Sequence, residues 1–152
     1  MLGQLSRTQI EEMLHTEMVG RFGYHAEGKT YIVLINYVYD DEHMYGYSLQ
    51  GIQIQLLQAH PEVCFEVDHR QNLSHWRSVI AWGTFEELED EEAARAALLI
   101  MQREMTLIAS GHSVHRMNRI NPQSTSLGSM IYRIHLVEKT GRFETDSEAG
   151  QP

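Results

Sequence analysis

The sequence predicts a mainly β chain with three helices, in the order α-β-β-β-α-β-β-α-β, whose six antiparallel strands close into a barrel. Two observations carry this. Runs rich in Val, Ile, Tyr and Phe are joined mostly by short turn signals, such as Glu27-Gly28-Lys29 and Asp40-Asp41-Glu42, so consecutive strands run antiparallel. Six strands in a chain of 152 residues tend to curl into a barrel, because closure removes exposed edges.

Ser6-Arg-Thr-Gln9 reads as a capping box, and Ile10, Met13 and Leu14 form one apolar stripe of the helix it opens. Val19 to Ala26 suits a first strand. Thr30 to Tyr39 is apolar on both faces, with Tyr31, Val33, Ile35 and Tyr37 on one and Ile32, Leu34 and Val38 on the other, which predicts a strand covered from both sides. His43 to Ser48 makes a third strand. Ile52, Ile54, Leu56 and Leu57 suit a short helix ending near His60-Pro61. Val63, Phe65 and Val67 alternate with Cys64, Glu66 and Asp68, a half-buried strand. A polar loop, His69 to Ser74, leads into a long strand from His75 to Leu88. Asp90 is placed to cap the next helix, with Glu91 and Glu92 in its first turn. Ala94, Ala97, Leu98, Met101, Met105 and Ile108 are the expected buried stripe. Ser110-Gly111 ends that helix and a polar loop runs to Gly128. Met130 to Glu138 is the last strand, with Tyr132, Ile134 and Leu136 inward, and the polar stretch from Thr140 is expected to fray. The expected organisation is one domain over residues 1–140 and a polar tail over 141–152.

Apolar residues make up 42% and charged residues 22% of the chain, an ordinary globular composition. The formal charge is −9. An acidic surface repels phosphate backbones and anionic bilayers, so neither nucleic acid nor a membrane is an expected partner. The single cysteine, Cys64, excludes an intrachain disulfide and a Cys-based zinc site, and points to a reducing, cytoplasmic location. The longest strongly apolar run, Tyr31 to Ile35, is far too short to span a bilayer. The N-terminus lacks the basic-then-apolar pattern of a signal peptide.

Four segments then follow in order and at familiar spacing: Gly20-Arg21-Phe22-Gly23, Tyr31 to Tyr39, Pro61 to Asp68, and Trp76-Arg77-Ser78-Val79. Together they resemble the pyridoxamine 5′-phosphate oxidase-related, flavin-binding split β-barrel superfamily, nearest its nitroimidazole reductase (Nim) branch. The resemblance covers Ser6 to about Gly141. It implies a homodimeric split barrel that holds FMN in a groove between subunits. The strand with Tyr31, Ile32, Val33 and Asn36 resembles the one beside the isoalloxazine, partly through main-chain groups. Tyr47 and Ser48 fall where the family places polar contacts to the ribityl phosphate. Gly51-Ile52-Gln53 matches a Gly-x-Lys element whose lysine binds that phosphate. Trp76, Arg77 and Ser78 match a strand reaching the flavin ring or its phosphate. Three positions depart from the pattern. Gln53 replaces the lysine and carries no charge. Tyr47 stands where the Nim branch often has histidine. Leu34 replaces a common proline. The true oxidases end in a Trp- and Arg-bearing segment that grips the pyridoxal substrate, and this polar tail has no tryptophan, so that activity is not expected.

Read without the resemblance, Arg21, Lys29, Arg77 and Ser48 are the candidate phosphate donors near the barrel mouth, and Tyr31, Tyr47, Trp76 and Trp82 could wall an aromatic ring. Trp82 reads rather as core packing or surface cover, and Arg77, taken alone, as a solvated or ion-paired arginine. His112-Ser-Val-His115, followed by Arg116 and Arg119, reads as a solvated basic loop or as cover for a ligand groove. No third ligand is spaced for a metal, and none is expected. Cys64 reads as a buried, inert thiol. The acidic run Glu86 to Glu92 reads as a solvated face. No phosphate loop or nucleophile elbow is present and no catalytic side chain is assigned. The expected function is an FMN-dependent oxidoreductase of Nim-like type, reducing a small substrate such as a nitro-aromatic compound. The alternative is a non-catalytic module of the same fold carrying flavin, deazaflavin or haem.

Overall fold

The computed structural model of the chain describes residues 1–48, 54–112 and 130–146. A capping box starts α1, Arg7–Thr16: Ser6 Oγ accepts from Gln9 N at 3.2 Å, and Gln9 Oε1 accepts from Ser6 N at 2.8 Å. Its stripe of Ile10, Met13 and Leu14 is buried. Strands β2, Val19–Ala26, and β3, Lys29–Asn36, form a hairpin. Glu27 and Gly28 both take positive φ, 52° and 77°, the turn geometry that matches strand twist. Strands β4, Val38–Tyr39, and β5, His43–Ser48, are joined by a turn that Asp40 organises. Its Oδ1 accepts from Glu42 N at 3.0 Å and His43 N at 2.7 Å, and its Oδ2 from the Tyr45 hydroxyl at 2.8 Å. Burial alone would raise the Asp40 carboxyl, but these three donors outweigh it and hold the group below its ordinary range. Helix α2, Ile54–Ala59, precedes the long hairpin β6, Glu62–Asn72, and β7, His75–Glu87. Helix α3, Asp90–Ala109, and strand β8, Met130–Glu144, complete the chain, with a short β1, Leu2–Gln4, at its start.

The fold is a mainly antiparallel sheet with three helices, of the split-barrel kind. The strand order is β3-β2-β6-β7-β8-β5-β4, with β1 paired on β8. Besides the six long strands the sheet has two short ones, β1 and β4, and the path does not close. The predicted strand over Thr30 to Tyr39 divides at Tyr37, whose N–H turns to Met18 O at 3.3 Å, so β3 and β4 pair with different neighbours. The predicted loop over His69 to Ser74 is mostly strand, because the β6–β7 ladder continues to Asn72 through a register shift. The stretch from Thr140 does not fray: β8 runs to Glu144, held by β7 on one side and β1 on the other, with Phe143 buried. Residues 147–152 of the expected tail lie outside the described residues.

Helix α3 starts differently from expectation. Glu89 holds the cap position without a side-chain bond, and Asp90 opens the helix at φ 53°. Its buried stripe is also rotated. Ala93, Ala96, Ala97, Ile100 and Glu104 face inward, whereas Leu98 and Met105 are 58% and 68% exposed. Small side chains let α3 lie close on the sheet, against Tyr45, Leu88 and Ile131.

The larger core fills the inside of the curled sheet. Phe22, Phe65, Val67, Val79, Tyr132 and Ile134 are essentially without solvent contact. Tyr132 stacks on Phe85 at 5.1 Å and meets Phe22 edge-on at 5.9 Å. The sheet is bent between Trp82 and Gly83, where β8 carries the extra residue Val137. Only glycine fits at this bend: a Cβ on Gly83 would lie 2.0 Å from His135 O.

Gly83→Ala must therefore push two backbones apart, and is expected to lower stability by about 3 kcal/mol or more, or to prevent folding; a chemical denaturation midpoint checks this. Tyr132 Oη is buried without a hydrogen-bond partner among the described residues. Tyr132→Phe removes that unsatisfied hydroxyl and keeps the ring, so its midpoint should match or exceed the parent's. A loss above about 1 kcal/mol would show that the hydroxyl is satisfied after all.

Candidate functional site

Alternation along the strands sends one set of side chains into the barrel core and the other outward. On the outward face of β3, β2, β6 and β7 lies an open groove lined by Arg21, Ile32, Glu62, Cys64, Glu66 and Trp82, among others. Its apolar parts face solvent: Ile32 is 73% and Leu34 65% exposed, so nothing among the described residues supplies the expected cover on the outer face of β3. Arg21 Nη1 spans the two acids of β6, at 3.4 Å from Glu66 Oε1 and 3.5 Å from Asp68 Oδ2. Ser78 Oγ donates to Glu66 Oε2 at 3.5 Å. Burial first, and Asp68 second, raise the Glu66 carboxyl to about 7 against the opposing pull of Arg21. Cys64 is half-buried on this outward face rather than in the core, and burial with Glu66 nearby pushes its thiol up, which keeps it protonated.

A second recess, a cavity of about 180 Å³, lies between α3 and the strands β3 to β5. Asn36 and Tyr47 line it together with Met18, Ile100, Glu104 and Leu107. The Tyr47 hydroxyl donates to Glu104 Oε1 at 2.9 Å. Burial and then this carboxylate raise the Tyr47 phenol well above its ordinary range, so it remains a hydroxyl. Glu104 is only 8% exposed. Arg103, also on the wall, sends Nη2 to the last carbonyls of α1, at 3.3 Å from His15 O and 3.4 Å from Thr16 O, where the helix end attracts a cation.

The predicted site residues are thus divided. Asn36 and Tyr47 meet in the cavity, while Ile32 lines the outer groove. Tyr31 and Val33 pack against the core, Tyr31 stacked on Tyr24 at 4.9 Å with Lys29 Nζ 5.7 Å from its ring. Trp76 Nε1 donates to Glu144 Oε2 at 2.9 Å and ties β7 to the end of β8. Arg77 is half-buried opposite His69 and Phe143 in the ladder, with no ion pair among the described residues. Arg21, Lys29 and Arg77 do not converge, since Arg21 is engaged with Glu66 and Asp68 and Lys29, on β3, pairs with Ala26 at the far end of β2. Ser48 ends β5 opposite Met130. Its side chain, together with Gly51, Gln53, His115, Arg116 and Arg119, lies outside the described residues; His112 lines the cavity. Sequence reasoning missed Glu104. Its signal was an acid one turn after Ile100, continuing the Ala93, Ala97, Ile100 stripe.

Among the described residues, one group of three imidazole and acid side chains is close enough to hold an ion: Glu11, His15 and Asp41 present ligand atoms within 4.8 Å of one another. Lys139 Nζ already donates to Glu11 Oε1 at 2.6 Å, and His15 Nε2 lies 2.6 Å from Asp41 Oδ1. The group is therefore internally paired. Among the described residues, no helix is long and apolar enough to cross a membrane.

A carboxyl raised in the folded state binds its proton more tightly there than in the unfolded chain. Glu66 thus lowers stability progressively as pH rises from its ordinary value towards 7. Glu66→Gln should raise the melting temperature at pH 8 relative to the parent, and the gain should disappear near pH 4. Parallel melting curves across that range would count against the shift.

Comparison with known proteins follows the fold. A profile of the family described as pyridoxamine 5′-phosphate oxidase matches residues 6–143. An uncharacterized protein of Rhizobium meliloti is 24% identical over 84 residues, 55% of this chain and 56% of that protein, so the match spans little over half the length of this curated relative. A solved FAD-binding protein from Mesorhizobium loti is 26% identical with a TM-score of 0.70, covering 95% of this chain and 99% of that one. A candidate 5-nitroimidazole antibiotic resistance protein from Bacteroides thetaiotaomicron shares the fold at 19% identity and a TM-score of 0.70, covering 94% and 87%. The profile takes in every strand from β2 to β7, all three helices and all but the last residue of β8, and on that extent the chain belongs to the pyridoxamine 5′-phosphate oxidase family.

Proposed function

We propose that the chain is a flavin-dependent oxidoreductase that works as a homodimer, holding FMN along β3 and reducing a small substrate. The observation that carries this reading is the state of β3. It ends the sheet path, so one side of its main chain lacks a strand partner among the described residues, and Ile32 and Leu34 beside it are exposed. An open apolar edge is an aggregation hazard unless something covers it. A flavin ring suits that surface: its pyrimidine edge takes main-chain hydrogen bonds and its faces take apolar walls. A second copy of the chain would cover the remaining outward face, where Ile80, Trp82 and Val137 are also exposed.

The residues present fit the ring better than the phosphate. Arg21 is engaged by two acids, whereas Arg77 has no ion pair among the described residues. Bound flavin supplies the redox chemistry. The chain's residues would orient the ring through β3, exclude water through Ile32, Leu34 and Trp82, and place the substrate beside Asn36 and Tyr47. A nitro-aromatic compound is the substrate class that the Nim-like resemblance suggests. FAD is the second reading for the cofactor, favoured by the description of the Mesorhizobium loti protein as FAD-binding.

Purified protein should be yellow, and the mass of the cofactor released on heating distinguishes FMN from FAD; colourless protein that takes up neither overturns the reading. Light scattering should give about twice 17.6 kDa. Arg77→Ala should weaken FMN binding by about tenfold or more, the scale of one charge-assisted hydrogen bond. Gln53→Lys should tighten FMN several-fold at low salt and leave riboflavin unchanged, because a cation at that position gains only from the phosphate. Equal gains for both ligands would remove Gln53 from the phosphate site.

A further inference from the structure

We infer that His43 and His135 form a two-imidazole site for a divalent d-block cation, Cu²⁺ before Zn²⁺, which clips β5 to β8. The inference depends neither on flavin nor on a dimer. The two residues are direct partners in the β5–β8 ladder, so both side chains leave the sheet on the same side. Their ring centres are 4.8 Å apart. Two imidazoles bound to one ion at about 2.0–2.1 Å, with about 90–109° between the bonds, have ring centres about 4.5–5.2 Å apart. The observed spacing falls inside that range, so an ion can enter without a shift of either strand. Spacing along the chain could not show this pair, because its members come from strands far apart in sequence.

The surroundings leave the pair available and favour a cation. Among the described residues, no hydrogen bond ends on either imidazole, and the one ion-pair partner, Asp40 Oδ1, stands 3.9 Å from His43 Nδ1. Asp40 is itself fixed by the three donors of its turn. A carboxylate on that side favours the proton on Nδ1, which leaves Nε2 with the lone pair an ion needs. The His43 side chain is 17% exposed and His135 is open to solvent, so water completes the coordination. Arg133 precedes His135 by two residues and shares its face. Its guanidinium lies 2.9 Å from Glu86 Oε2 and 3.9 Å from Glu92 Oε2. Asp40, Glu86 and Glu92 thus set three carboxylates against one guanidinium, and Thr84, the partner of His135 on β7, adds no charge. Imidazole nitrogens select Cu²⁺ and Zn²⁺ over Mg²⁺. On its other side β5 has only the two-residue β4, so an ion shared with β8 would hold the sheet where it is least supported. The Glu11 group lacks this openness, because Lys139 and Asp41 already engage Glu11 and His15.

The test is calorimetric titration of the chelator-treated, dialysed protein with zinc, copper and magnesium chlorides at about pH 7.5, where ordinary imidazoles are mostly neutral. One Zn²⁺ should bind per chain, Cu²⁺ should bind about tenfold or more tightly than Zn²⁺, and Mg²⁺ should not bind. His43→Ala and His135→Ala should each weaken Zn²⁺ about tenfold or more. His15→Ala, which removes the imidazole of the Glu11 group, should leave Zn²⁺ affinity unchanged. Paramagnetic resonance of the Cu²⁺ protein should show two coupled nitrogens in the parent and one in either strand variant. Zn²⁺ should raise the Tm of the parent and not of those variants, because the ion binds only the folded strand pair. Circular dichroism before titration shows which variants are folded, and one folded strand variant is enough to decide. No saturable Zn²⁺ binding to the parent overturns the inference. Full affinity in a folded His43→Ala or His135→Ala protein, or loss of binding in folded His15→Ala, overturns it as well.

Discussion

The fold turns on one close approach, the passage of β7 over β8 at Gly83. Strand β8 is fifteen residues long and pairs with β7 over most of its length, with β5 at its start and with β1 at its end. A straight strand could not serve all three, because the first half must face α3 while the second half faces α1. The extra residue Val137 and the bare Cα of Gly83 let the ladder bend between these halves. Two cores result from one sheet: the aromatic interior around Tyr132, and the thinner layer where α3 covers Tyr45 and Ile131.

That division explains where a ligand can sit. Among the described residues, Phe22, Phe65, Phe85 and Tyr132 fill the barrel interior with packed aromatic rings. Recesses therefore form at the margins. One is on the outward sheet face, where no element among the described residues packs over Ile32 and Trp82. Another is under α3, lined by Ile100, Glu104 and Leu107 of the helix. The β3 strand borders both, Ile32 lining the first and Asn36 the second.

Much of this was legible in the sequence where side-chain period and capping agreed. The capping box at Ser6, the Glu27-Gly28 turn, the alternation of Val63, Phe65 and Val67, and the order of the six long strands follow from local chemistry. The phase of α3 did not. Its largest apolar residues, Leu98, Met101 and Met105, lie outward, and the face that packs is built from alanines whose small size sets the helix close to the sheet. Size, not hydrophobicity, selected that face. The two-sided strand over Thr30 to Tyr39 was readable as apolar on both faces, but the sequence of one chain does not say whether the second face is covered by its own fold or by something else. The candidate site was legible only in part. Asn36 and Tyr47 came from the resemblance, while Glu104 was hidden because an acid on a helix is ordinarily solvated.

Glu104 and Glu66 show how the same residue type is managed differently in the two recesses. Glu66 shares Arg21 with Asp68 on an open sheet face, and its raised carboxyl reflects burial that one shared guanidinium does not offset. The strain is electrostatic and depends on solvent, so anything that covers this face alters it. Glu104 is the more buried of the two and takes a phenol proton at 2.9 Å. Tyr47 in turn is held as a hydroxyl by the same contact. In this contact the phenol donates and the carboxylate accepts. One acid thus meets a shared cation on an open face and the other a neutral donor beneath a helix, two ways of offsetting the cost of burying a carboxylate.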